Sequence, residues 1–71
     1  MEKISVKELR LRHGLTQAEL SRKIGVTPLS IIYWETGKTR ISDLNRYKVA
    51  AFFNVHPDVI GGGVNEPPPE R

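Results

Sequence analysis

Residues 16–37 read Thr16-Gln17-Ala18-Glu19-Leu20-Ser21-Arg22-Lys23-Ile24-Gly25-Val26-Thr27-Pro28-Leu29-Ser30-Ile31-Ile32-Tyr33-Trp34-Glu35-Thr36-Gly37. They predict two short helices joined by a tight turn. The Thr16 hydroxyl can accept from N–H groups of an opening helical turn, which have no partner within the helix. Glu19, three residues on, completes a capping box. Leu20 and Ile24 recur at helical spacing and give this helix an apolar face. Gly25 stops it, because glycine takes the left-handed conformation at little cost. Thr27 is a second N-cap, and Pro28 stands at the first helical position, where the missing N–H removes nothing. Ile31 and Trp34 share a face, and Gly37 closes the second helix. With only about three residues between them, the two helices must meet at a sharp angle.

The run Gly14-Leu15-Thr16-Gln17-Ala18-Glu19-Leu20, then Ile24-Gly25-Val26-Thr27, then Ile31, Trp34-Glu35 and Gly37-Lys38 resembles the Cro/C1-type (XRE) helix-turn-helix family. The resemblance extends over roughly residues 6–60. It implies an all-α fold of about five short helices, a lambda-repressor-like DNA-binding domain, and a transcriptional regulator of phage or bacterial origin. The alternative on residue pattern alone is an ordinary helical hairpin in a small bundle.

The 71 residues make one domain, and a chain this short builds only a small core. Cysteine is absent, so neither a disulfide nor a thiolate metal site is available. No apolar run approaches the roughly 20 residues that cross a bilayer, and the start lacks a signal-peptide pattern, so the expectation is a cytoplasmic protein without a membrane partner. The net charge is +3. Before residue 61 there are ten basic and six acidic side chains, a balance of +4. That suits phosphate binding without establishing it.

Around the central pair, Ser5-Val6-Lys7-Glu8 forms another capping-box pattern and opens a first helix, with Val6 and Leu9 inward, Leu11 outward and His13-Gly14 at its end. Arg10 falls on the inward side, placed to meet Glu35. The family resemblance implies that Arg10 and Glu35 form a structural ion pair, against the alternative of two unrelated surface charges. Ser42 caps a fourth helix over about residues 43–53. On it Val49, Ala50 and Phe53 point one way, while Leu44, Tyr47 and Ala51 point nearly the opposite way with Phe52 at the margin. One face packs on the domain, and the other is either further core or a subunit contact. Arg46 stands where the family pattern usually has an aliphatic residue. Asn54 is a C-cap, and Val55–Ile60 resembles the family's short fifth helix. The domain is therefore expected to span residues 1–60. Residues 61–71, with Gly61-Gly62-Gly63 and Pro67-Pro68-Pro69, are expected to form a flexible tail.

The major groove of B-DNA admits an α-helix and displays a distinct donor and acceptor code. Carried over by position, the resemblance implies that Thr27, Pro28, Leu29, Ser30, Ile32 and Tyr33 face that groove. It implies that Gln17, Lys38 and Arg40 bind phosphates, with Arg46 and Lys48 extending the patch, while Ile31 and Trp34 turn to the core. The expected partner is an operator in double-stranded DNA, bound by a homodimer, with candidate subunit contacts at Phe52, Val59, Ile60 and the spare face of the fourth helix. Pro28, Leu29, Ile32 and Tyr33 are, however, unusually apolar for a groove-reading helix. As the second alternative, they also suit a modulator or anti-repressor that binds another helix-turn-helix repressor as a heterocomplex. No catalysis is expected. His13 and His56 lie at helix ends without an evident partner, no carboxylates stand at metal-ligand spacing, and the triple glycine does not link a strand to a helix as a phosphate loop does. Neither a cofactor, a metal nor a small-molecule ligand is implied.

Overall fold

A computed structural model describes residues 3–61. The chain forms four α-helices, α1 (Val6–Arg12), α2 (Gln17–Ile24), α3 (Pro28–Thr36) and α4 (Asp43–Phe53), followed by one 3-10 turn at Pro57–Val59. Among the described residues none of these helices is long and apolar enough to cross a membrane.

Each α-helix starts on a side-chain cap. Ser5, Thr16, Thr27 and Ser42 accept from the backbone N–H three residues on. Such a cap stabilises a helix by about 1 kcal/mol. The box at Thr16 is complete: Glu19 Oε1 accepts from the Thr16 N–H at 2.8 Å while Thr16 Oγ1 accepts from the Glu19 N–H at 3.0 Å. The expected second box at Ser5 forms only on its hydroxyl side. There the Glu8 carboxylate accepts from Arg12 Nη2 at 2.6 Å, since an i,i+4 cation lies within reach on the same face. Gly25 and Gly37 end α2 and α3 with φ of 78° and 80°, and Asn54 ends α4 with φ 59°. The tight α2–α3 turn depends on that Gly25 conformation, which L side chains adopt at a cost.

The core collects one stripe from every helix. Val6 and Leu9 come from α1, Leu20 and Ile24 from α2, Ile31 and Trp34 from α3, and Val49, Ala50 and Phe53 from α4; Ile41 and Ile60 seal it. Leu20, Ile31, Val49 and Ile60 are essentially inaccessible, and burying each aliphatic side chain stabilises the fold by roughly 1.5–3 kcal/mol.

Two sequence expectations are corrected. The fifth helix is a single 3-10 turn, because Ile60 leaves it in an extended conformation to form a parallel bridge with Ile4. Ile4 N–H donates to Val59 O at 2.6 Å and Gly61 N–H donates to Ile4 O at 2.9 Å. Ile60 is therefore core and is no subunit contact, and Gly61, also buried, closes the folded part. Residues 62–71, which hold nearly all of the expected tail, lie outside the described residues. On α4 the two faces separate as the spacing predicts: Leu44, Tyr47, Ala51 and Phe52 are exposed opposite the buried Val49, Ala50 and Phe53, so only one face is core. Arg46 occupies its usually aliphatic position by laying its stem down and reaching Asp43 with Nη2 at 2.6 Å, as amphipathic side chains do.

Candidate nucleic-acid interface

Helix α3 is a short rod with one buried face. Ile31, Trp34 and Glu35 turn inward. Leu29, Ile32, Tyr33 and Thr36 follow at i, i+3, i+4 and i+7, so they form one outward stripe. Leu29 is 52% exposed, and Ile32 and Tyr33 are half-buried. At the leading end Thr27 and Pro28 are exposed and Ser30 is half-buried. The stripe thus lies on the surface, with the N-terminus of the helix foremost.

Its polar groups are largely bonded within the helix. Thr27 Oγ1 accepts from the Ser30 N–H at 3.2 Å and lies 3.1 Å from Ser30 Oγ. Thr36 Oγ1 donates to Ile32 O at 2.9 Å. The family resemblance implies that Thr27 and Ser30 face the groove but does not show this mutual bond. The i,i+3 placement of two hydroxyl residues at a helix start is the signal that carries it.

Behind this face an ion pair ties α1 to α3. Arg10 Nε and Nη2 donate to Glu35 Oε2 and Oε1 at 2.6 and 2.9 Å, a bidentate fork. The two side chains are only 9% and 3% exposed. Arg10 Nη1 also donates to Leu15 O at 2.9 Å. The hydrogen bonds to Glu35 raise the Arg10 pKa above its ordinary value against the opposing effect of burial. Gln17 is the unforeseen third member, its Nε2 donating to Glu35 Oε1 at 3.0 Å. Its side chain is thus committed inward, and any anion it meets is met from the backbone end of α2.

The basic residues lie beyond the end of α3. Lys38 Nζ stands 5.4 Å from the centre of the Tyr33 ring, a cation–π arrangement. Lys38 and Arg40 are exposed, as is Lys48 on α4. The histidines do structural work. His13 Nδ1 is 2.9 Å from Leu9 O, with its ring 4.7 Å from that of Phe53. His56 Nδ1 accepts from the Asp58 N–H at 3.1 Å. Among the described residues no group of His, Asp or Glu side chains could hold a metal ion.

A family model described as helix-turn-helix matches residues 6–60. Curated relatives are similar over about 50 residues of the chain. One from Archaeoglobus fulgidus, named an uncharacterized HTH-type transcriptional regulator, is 41% identical over 49 residues, 69% of this chain and 70% of the relative. A second from the same organism, with the same description, is 39% identical over 49 residues, 69% of each chain. A third from Methanocaldococcus jannaschii, also named an uncharacterized HTH-type transcriptional regulator, is 42% identical over 53 residues, 75% of this chain and 80% of the relative. No solved structure matches the chain.

Proposed function

This chain belongs to the helix-turn-helix family, of XRE type, and from that membership we propose a transcriptional regulator that binds an operator in duplex DNA through α3. The observation that carries the reading is the outward stripe of α3, led by an exposed Thr27-Pro28 end and followed at once by Lys38 and Arg40. A rod of this kind enters a major groove N-terminus first. Thr27, Pro28, Leu29, Ser30, Ile32 and Tyr33 then face base edges. Lys38, Arg40 and the Gln17 end of α2 meet phosphates, with Arg46 and Lys48 at the margin. The role needs no catalysis or cofactor and sets the protein beside DNA in the cytoplasm.

We propose further that two copies occupy a two-fold operator, meeting through the α4 face of Leu44, Tyr47, Ala51 and Phe52. One α3 reads only one half-site, and a stripe along a helix can pair with its own two-fold image. A heterocomplex with another repressor is the second reading, favoured by the apolar character of Leu29, Ile32 and Tyr33.

Binding to DNA flanking the protein's own gene, titrated at several salt concentrations, separates the two. In the DNA reading, Lys38→Ala weakens all sequences about equally and lowers the log–log salt slope by about one unit. If Leu29→Ala and Tyr33→Ala abolish association with a neighbouring regulator while Lys38→Ala changes nothing, the heterocomplex reading replaces it.

A further inference from the structure

We propose that α3 selects its half-site by the C5-methyl groups of thymines, packed against Leu29, Ile32 and Tyr33. This rests on the DNA-binding reading above. Major-groove discrimination ordinarily uses arginine or lysine on guanine, asparagine or glutamine on adenine, and a carboxylate on cytosine. Between Pro28 and Thr36 there is no Arg, Lys, Asn or Gln. The one carboxylate, Glu35, is held inward by Arg10 and Gln17. Thr27 and Ser30 are bonded to each other, and Thr36 donates to the backbone of its own helix. The Thr27–Ser30 pair keeps acceptor capacity and the Tyr33 hydroxyl can also bond, but most of the reading face in its first two turns is apolar: Pro28, Leu29 at 52% exposure, Ile32 and the Tyr33 ring.

The thymine methyl is the one apolar mark that a base pair displays in the major groove. Leu29 stands on the leading turn, the part of the helix that goes deepest. Lys38, held beside the Tyr33 ring, is placed to fix the helix against the backbone without reading sequence. Shielding one methyl is worth about a fourfold difference in affinity. A bidentate polar contact gives roughly five- to 150-fold. Such a protein therefore distinguishes half-sites by several modest steps, each at a thymine.

The test is selection of the full-length protein on a random duplex library, followed by atom-level changes in the enriched site. Replacing a consensus thymine by deoxyuridine removes only the methyl and should weaken binding about fourfold at two or more positions. Changing that T·A pair to C·G should weaken it as well, and 5-methylcytosine, which restores the methyl at the same place, should recover part of the loss. Leu29→Ala should make one of the deoxyuridine changes silent. A consensus specified by guanines, deoxyuridine changes that are silent throughout, or 5-methylcytosine no better than cytosine would overturn the methyl reading while leaving DNA binding intact. Failure of the library to enrich any sequence would overturn the DNA-binding reading itself.

Discussion

Arg10 is the residue on which the orientation of α3 most depends. Its guanidinium reaches Glu35 twice and Leu15 O once, so one side chain joins α1, the loop before α2, and α3. Buried ion pairs carry a large desolvation cost, and removing one partner leaves the other charge uncompensated. Arg10→Met should therefore destabilise the domain by about 3–5 kcal/mol. At roughly 0.05–0.15 kcal/mol per residue, that is a large share of the stability of a chain this size. Arg10→Met combined with Glu35→Leu should return most of the loss, because apolar replacements of both partners are often neutral. Urea denaturation of the three proteins checks this, and a single variant within 1 kcal/mol of the parent would show that the pair is not what holds α3. The inward side of Arg10 was legible from helical spacing, and its pairing with Glu35 as an ion pair from family resemblance. The part of Gln17 was not, since nothing in the order of residues shows that a side chain at the start of α2 bends back to a carboxylate on α3.

At the scale of elements, the start and stop signals carried most of the fold. Thr16, Thr27 and Ser42 sit at the caps, Gly25 and Gly37 at left-handed ends, because capping and positive φ are local requirements that a few neighbouring residues satisfy. The Ile4–Ile60 bridge and the shortening of the fifth helix were not legible. A single bridged pair has no periodicity, and only the meeting of the two ends of the fold decides it. The capping box of α2 has a consequence for pH. The Thr16 backbone N–H is the main cause that holds the Glu19 carboxylate below its ordinary pKa. A group depressed in the folded state stabilises that state above its unfolded pKa, and the contribution disappears as pH falls through the folded value. Thermal melts between about pH 6 and pH 3 should thus show a smaller acid loss in Glu19→Gln than in the parent, since the amide still accepts from Thr16 without titrating. Identical acid limbs in the two proteins would mean that the box contributes nothing through its charge.

For the whole molecule, the proposed sharing of one operator by two copies sets a geometric condition. The domain measures 34 × 23 × 20 Å, and half-sites one helical turn apart are about 34–36 Å centre to centre. Copies set side by side on one face of the duplex can therefore touch only at their margins, and the contact must be small. The face available on α4 agrees with that. Leu44, Tyr47 and Phe52 are 65%, 56% and 39% exposed, three large side chains where a stable complex uses roughly 20–30 residues a side. Its opposition to the Val49, Ala50 and Phe53 face was readable from the 100° spacing, whereas its proposed role as a subunit contact was not, because a contact between copies leaves no mark on the order of residues. The expected behaviour is a monomer in dilute solution that dimerises on DNA, where the two half-sites raise the effective concentration. Sedimentation should then give one copy at micromolar protein, while titration of a two-half-site duplex should be cooperative. Tyr47→Ser, which adds no charge between Arg46 and Lys48, should remove the cooperativity and leave affinity for a single half-site unchanged, since Tyr47 lies on α4 and outside the outward stripe of α3. Cooperativity that survives Tyr47→Ser would place the subunit contact elsewhere. A stable dimer in the absence of DNA would mean that more of the surface is shared than α4 offers.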